Sequence, residues 1–364
     1  MAKSVARFEI GYSRCIDPDG TLVAPLPDTA NTPAKLIELY RALVRVRSLD
    51  AKAGALQRTG RLGTYASVLG QEAVSVGVAS AMRPDDVAVP SFRDHGMLLG
   101  RGVTPLEFLL YWGGDERGNV FGVPRQDFAI SVPVGSHAAH AVGAALALKL
   151  RKEARVAVCL FGDGATSKGD VYESFNIAGV WRLPIVFVVS NNEWAISVPR
   201  RAQSAAETLA QKAIAAGFPG EQVDGNDVVA MHGVAAAAIE RARQDGGPTL
   251  IEALTYRLGD HTTADDASRY RDDREVTQHW PEEPVLRLRH YLTAAKIWSK
   301  EQEDGLLHEV AAEIDAAADA YLKTPAQDPS TIFDFTYAQL PADLVTQRDA
   351  ALAQSKLIAR AAAE

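Results

Sequence analysis

The fold is decided by the stretch from Arg155 to Asn192, RVAVCLFGDGATSKGDVYESFNIAGVWRLPIVFVVSNN. Arg155 to Phe161 is a continuous apolar, β-branched run, as expected for a strand covered on both faces. GDGATSKGD reads as the turn after it, with Ser167 placed as a helix N-cap. Val171, Phe175, Ala178 and Trp181 then recur at helical spacing. Leu183-Pro184 ends that helix, and IVFVVS (185–190) is a second buried strand closed by Asn191-Asn192. Strand, helix and strand make one βαβ unit, which implies parallel strands. TLIEALTY (249–256) predicts a further strand of the same sheet. The fold class is therefore α/β, a mostly parallel doubly wound sheet flanked by helices.

Working outward, residues 1–32 are rich in Pro, Asp and Gly and read as an irregular arm. A helix follows from about Ala34, with Leu36, Leu39, Tyr40, Leu43 and Val44 on one face. GRLGTYASVLGQEA turns before a helix of small residues, AVSVGVASAM. DDVAVPSFRDHG reads as a short strand, then a loop carrying Arg93, Asp94 and His95. Residues 33–278 form the α/β domain by this reading. Residues 279–364 form a helical C-terminal region packed on it, with a short strand or loop from Ile332 before the last helix. The small-residue helices AVSVGVASAM and AHAVGAALALKL suit either close subunit packing or an ordinary core.

Composition narrows the function. The chain has 364 residues, with 38 Lys plus Arg against 46 Asp plus Glu, a net charge of −8. That balance argues against nucleic acid and anionic membrane surfaces as partners. No apolar run approaches the roughly 18 residues of a membrane span. The N-terminus carries no secretion or transit signature, and two distant cysteines, Cys15 and Cys159, suit a reducing compartment. A bacterial cytoplasmic location is expected. Cys159, inside VAVCLF, reads as a small buried hydrophobe.

Ligands of open parallel sheets bind beyond the carboxyl ends of the strands. Asp163 follows the first strand and Asn192 the second, so adjacent strands bring both to one edge. A carboxylate, an amide oxygen and backbone carbonyls are hard ligands that suit Mg²⁺, which keeps phosphate oxygens in its shell. Gly162 and Gly164 let the backbone approach a phosphate, and a helix N-terminus favours the anion. The residues alone thus point to a Mg²⁺–diphosphate site. Gly162-x-Gly164 lacks the third glycine of a dinucleotide fingerprint. GxxxxGK[ST], HExxH, GxSxG and zinc-type cysteine pairs do not occur in the chain.

GDG followed by NN after just under thirty residues resembles the thiamine-diphosphate motif. More narrowly, GDGATSKGDVYESFNIAG, LPIVFVVSNNEWAIS, GRLGTYASVLGQEA, VPSFRDHG, QVDGND and TYRLGDHTTADDASRYR resemble the α subunit of the E1 component of 2-oxo acid dehydrogenase complexes. The resemblance covers roughly residues 30–345. It implies a thiamine-diphosphate-binding fold. It implies that Asp163 and the Asn192 side chain bind Mg²⁺ with the Trp194 carbonyl, and that Gly162, Gly164 and Ala165 line the diphosphate. It places Arg93 against the diphosphate, Val132 to Val134 around the aminopyrimidine through their backbone, and Ile196 near the thiamine. His261 would contact the diphosphate and act in acyl transfer to the lipoyl arm, on a loop expected to be mobile until cofactor binds.

Several positions depart from the family. Phe92 stands where Tyr is common, removing one phosphate contact, and Ser190 where some relatives have Arg. Asp260 precedes His261 where some have a second His; its carboxylate either raises the His261 pKa or faces solvent. His137 and His140, at i and i+3, read as two ordinary polar helix positions rather than a metal pair. Thr262 occupies a place phosphorylated on Ser in mammalian relatives, and nothing in the sequence indicates a kinase.

The chemistry needs a glutamate against the pyrimidine N1′. Glu72 and Glu193 are candidates, but the family takes it from the β subunit, which implies a heterotetramer of two α and two β chains. The resemblance also implies a small 2-oxo acid as substrate and the lipoyl domain of an E2 protein as acceptor. VDGNDV, TYRLGDHTTADDASRYR and RLRHYL resemble branched-chain α subunits, and Thr64, where many relatives carry Phe, either leaves room for a longer acyl chain or simply repacks, so a branched-chain acid is favoured. Pyruvate is the alternative and acetoin a distant third. A non-enzymatic binding module would have lost Asp163, Asn192, Arg93 or His261, and all four are present.

Overall fold

The structure is a computed structural model, and it describes residues 3–123, 126–334 and 336–361. The chain divides into two compact units, Met1–Ala318 and Asp319–Glu364.

Among the described residues, the first unit has eight strands: β1 (Tyr12–Ser13), β2 (Val87–Val89), β3 (Ala157–Gly162), β4 (Ile185–Asn191), β5 (Trp194–Ala195), β6 (Val198–Pro199), β7 (Gly220–Asp224) and β8 (Thr249–Leu254). Six form one sheet in the order β1-β7-β8-β4-β3-β2, and every pair in it is parallel. β5 and β6 form a separate antiparallel ribbon just after β4.

The βαβ expectation holds. β3 and β4 pair from Ala157↔Ile185 to Gly162↔Ser190, with the Gly169–Val180 helix between them. β8 lies on the other side of β4, as the TLIEALTY run predicted. Both central strands are covered on both faces. Cys159, Phe161, Phe187 and Val189 pack with Phe175 and Ala178 of the crossover helix and with Ala141 and Ala145 of the His137–Leu150 helix. Each fully buried Phe or Val contributes roughly 1.5–3 kcal/mol. Cys159 is buried as a free thiol within this cluster. Glu252, wholly buried in β8, is satisfied by Asn191 Nδ2 (2.8 Å), the Ala210 amide (2.9 Å) and Gln222 Nε2 (3.0 Å), so it also ties down the end of β4.

Other elements match or adjust the sequence reading. The first long helix runs Pro33–Arg58, started by Thr32 as N-cap and Pro at the first turn, and the small-residue helix runs Glu72–Ala81. Ser167 is not a helix N-cap. A 3₁₀ turn, Asp163–Ser167, absorbs it, and its hydroxyl accepts from Gln203 Nε2 (3.0 Å); the α-helix starts at Gly169 behind Lys168. The N-terminal arm is not wholly irregular, since Tyr12 and Ser13 add an edge strand beside β7. Within the second unit, Thr331–Asp334 forms one helical turn rather than a strand, followed by the Ala342–Ala361 helix. Among the described residues, no helix is long and apolar enough to cross a membrane.

Candidate active site

The register that pairs Gly162 with Ser190 places the turn after β3 beside the turn after β4. A cleft of about 230 Å³ opens there. Its lining brings together Phe92, Arg93, Val134, Gly162, Asp163, Gly164, Ala165, Asn192, Trp194, Ile196 and His261, residues singled out from sequence and drawn from five separate segments. Val132 is outside this lining and half-exposed. Thr64 is exposed and also outside it.

Asp163 is the most unusual group. It is 2% exposed, and its Oδ2 has no hydrogen-bond partner. Burial pushes its carboxyl up to about 7. A buried carboxylate oxygen without a donor is unfavourable unless a cation or hydrogen bond meets it. Asn192 is oriented by Gln71: its Nδ2 donates to Gln71 Oε1 (2.9 Å), while its Oδ1 accepts from the Trp194 amide (3.2 Å). Backbone around Gly162 is open, since a Cβ there would meet nothing within 4 Å. Gly164 is packed instead, with a built Cβ 2.9 Å from that of Ala195. What borders the cleft is the 3₁₀ turn rather than the helix N-terminus expected from sequence. The donor set is therefore one carboxylate plus amide and carbonyl oxygens beside an open glycine, which fits a hard cation carrying phosphate. Among the described residues no cluster of three or more His, Cys, Asp or Glu competes with it.

Two arginines frame the other side. Arg93, 8% exposed, donates to the Ser67 carbonyl, to the His261 carbonyl (2.7 Å) and to His261 Nδ1 (3.2 Å). Arg257, 1% exposed, donates to the carbonyls of Trp194 (3.3 Å) and Ile196 (2.9 Å), to the Tyr270 hydroxyl (2.9 Å) and to His261 Nδ1 (3.4 Å). Guanidinium groups only donate, so Nδ1 of His261 is the acceptor and the ring proton sits on Nε2. Burial, then the positive Arg93 and Arg257, hold the His261 pKa down to about 4. It is neutral at pH 7. Asp260 does not raise it; that side chain is exposed and accepts from the Ala267 amide (3.2 Å). The His261 ring meets Phe92 edge-on, with centroids 6.0 Å apart.

The backbone around the ribbon is strained. Glu193 (φ 67) and Ile196 (φ 56) lie in the left-handed region, which is unfavourable for a β-branched side chain. Arg257 holds the Ile196 carbonyl in that shape, and Ile196 is 55% exposed at the cleft. The His261 loop is tied down by Arg271, which donates to the carbonyls of Arg257 and Gly259, and by Asp265, which accepts from the His261 amide (2.9 Å) and the Tyr270 hydroxyl.

Neither glutamate candidate enters the cleft. Glu72 is fully buried, paired with Arg47 and bonded to the Gly70 amide (3.0 Å), and Glu193 faces a different cavity. His137 is buried with Nε2 bonded to the Leu160 carbonyl (2.7 Å), while His140 is exposed.

The sequence reading passed over Gln71, Arg257 and Asp50. Asp50, 6% exposed, accepts from the Tyr65 hydroxyl (2.6 Å), the Ser67 hydroxyl (2.6 Å) and the Val68 amide (2.8 Å). It thereby fixes the loop whose Ser67 carbonyl anchors Arg93. An acidic residue in the apolar stripe of the first long helix is the signal that marks it.

Comparison with known proteins gives the family. The family model for the dehydrogenase E1 component matches residues 40–330. The chain belongs to the dehydrogenase E1 component family. Members of this family are thiamine-diphosphate-dependent oxidoreductases. The chain is 42% identical over 335 residues to the 3-methyl-2-oxobutanoate dehydrogenase subunit alpha of Mycobacterium tuberculosis, covering 92% of this chain and 91% of that one. It is 40% identical to the pyruvate dehydrogenase E1 component subunit alpha of Acholeplasma laidlawii, covering 91% and 96%. The corresponding subunit of Staphylococcus epidermidis is 38% identical, covering 95% and 94%.

Proposed function

We propose that this E1-family chain is the α subunit of a 2-oxo acid dehydrogenase complex and contributes the diphosphate half of its active site. The observation that carries the proposal is the unpartnered buried carboxylate of Asp163, in one cleft with Arg93 and His261. Asp163, Asn192 and the Trp194 carbonyl would hold Mg²⁺, and Gly162, Gly164 and Ala165 would line the diphosphate. Arg93 would oppose the phosphate charge with a donor fork. Val132, Val134 and Ile196 would border the thiamine. Bound thiamine diphosphate supplies the nucleophilic carbon and the electron sink for decarboxylation.

The chain's own residues position and protonate. Gln71 fixes the Asn192 amide, and Arg257 fixes the carbonyls of Trp194 and Ile196. Arg93 and Arg257 keep His261 neutral with its proton on Nε2, where it would serve as the proton donor in acyl transfer. The N1′ glutamate would come from a β subunit in a heterotetramer of two α and two β chains, since Glu72 and Glu193 are placed elsewhere. The acceptor would be the lipoyl domain of an E2 protein. The bacterial relatives support a cytoplasmic location.

A branched-chain 2-oxo acid is the favoured substrate, supported by the 3-methyl-2-oxobutanoate relative; Thr64, outside the cleft, gives it no support. The pyruvate relatives, at nearly equal identity, support the alternative. Co-expression with a β subunit, thiamine diphosphate and Mg²⁺, followed by dye-coupled turnover of 3-methyl-2-oxobutanoate against pyruvate, decides it. At least tenfold higher kcat/KM for the branched acid is expected; the reverse preference overturns the substrate and leaves the site intact.

A further inference from the structure

The turn that carries Asp163 rests on side chains outside the cleft. Lys212, 7% exposed, opens the one-turn helix Lys212–Ala215 that precedes β7. Its ammonium donates to the Thr166 carbonyl (2.8 Å) and to the Thr166 hydroxyl (2.9 Å). That hydroxyl donates onward to the Asp163 carbonyl (2.8 Å). Gln203 Nε2 donates to the same carbonyl (3.0 Å). A carbonyl oxygen has two lone pairs, so both are filled. The peptide between Asp163 and Gly164 is planar, and pinning its oxygen fixes the backbone of two residues that line the cleft. Lys212, Thr166 and Gln203 are not themselves part of that lining.

The charge is the unusual part. A buried ammonium is costly unless something offsets it. Among the described residues, Lys212 forms no ion pair, and the face of the Tyr172 ring lies 5.1 Å from its nitrogen. A neutral donor would hold Thr166 at a lower desolvation cost. What it would lack is a positive charge beside a turn whose cleft side is shaped for phosphate. Such a charge acts through protein rather than water, where attraction is less screened.

We propose that Lys212 and Gln203 are positioning residues of the cofactor site. They hold the Asp163 turn in its binding shape, Lys212 by way of Thr166, and the Lys212 charge favours the diphosphate from outside the cleft. The inference rests on the reading of that cleft as a thiamine-diphosphate site.

Isothermal titration of thiamine diphosphate into the cofactor-free complex with the β subunit, at saturating Mg²⁺, reads the effect without turnover. Lys212→Met should weaken binding about tenfold, because the charge and its hydrogen bonds go together. Lys212→Arg keeps both and should stay within about threefold of the wild type. Gln203→Ala should weaken binding about threefold. Gln203 is only half-buried, so this variant decides the matter if Lys212→Met does not fold. Wild-type affinity in Lys212→Met or in Gln203→Ala overturns the proposal. Equal loss in Lys212→Met and Lys212→Arg also overturns it, because Lys212 is then a packing residue only. A wild-type complex that binds no thiamine diphosphate overturns the reading of the cleft and this inference with it; the other outcomes leave that reading standing.

Discussion

Replacing Asp163 by Asn should stabilise the cofactor-free protein while abolishing cofactor binding. Burial moves this carboxyl from 3.8 to about 7. At about 1.4 kcal/mol per pKa unit, ionising it in the folded state costs roughly 4 kcal/mol. The sign follows from linkage. A raised folded-state pKa gives a contribution fully present below about pH 4 and lost as pH rises through about 7. Asn carries no charge and escapes that loss, although its unpartnered amide costs about 1–3 kcal/mol in turn. The Asn variant should therefore be more stable by about 1–3 kcal/mol at pH 8, and by nothing, or less than nothing, near pH 4.5. Urea denaturation of both cofactor-free proteins across that range reads the difference. Adding thiamine diphosphate and Mg²⁺ at pH 8 should then raise the midpoint of the wild type alone. A gap that does not grow with pH, or an Asn variant less stable at pH 8, refutes the reading of Asp163 as a charge held ready for a cation.

Further outcomes follow from the surrounding network. Asp50→Asn, which weakens acceptance from Tyr65, Ser67 and Val68, should cost about 1.5–3 kcal/mol in urea denaturation and raise the KM for thiamine diphosphate roughly tenfold by loosening the anchor of Arg93. His261→Asn should lower reductive acylation of the lipoyl domain by about 10²–10⁴; equal retention of that reaction and of dye-coupled decarboxylation would remove His261 from acyl transfer. His95, fully buried with Nε2 bonded to the Ala66 carbonyl, has its pKa held down to about 4 by burial. Its contribution is present above about pH 6.5 and lost as pH falls toward 4, so His95→Gln should flatten the acid limb of the stability profile by up to roughly 3 kcal/mol.

The parts legible in sequence are those whose cause is local. The β3–helix–β4 unit is contiguous, both strands are buried on two faces, and the positions after them share an edge by topology, so Asp163 and Asn192 could be paired from sequence. Ser167 reads as a helix N-cap in sequence because a 3₁₀ turn and a capped helix begin with the same residue types, and only the Gln203 contact separates them. The turn at Thr331–Asp334 looks extended because Ile332 and Phe333 are good strand formers in a segment too short to show a period. Gln71, Arg257 and Asp50 were hidden for another reason. Each acts on a residue far along the chain, and a buried Arg after a strand looks, in sequence, like the first exposed residue of a loop. The tautomer of His261 likewise depends on two arginines, one of them 168 residues away.

The central claim is that this chain is half of a thiamine active site, competent to bind the diphosphate end but dependent on a partner for turnover. Decarboxylation of 3-methyl-2-oxobutanoate and pyruvate by the purified chain, with thiamine diphosphate and Mg²⁺, before and after addition of a β subunit, tests it most directly. The account predicts no turnover of either acid by the chain alone and turnover on adding the β subunit. Turnover by the chain alone, or none of either acid with the β subunit bound, would contradict it.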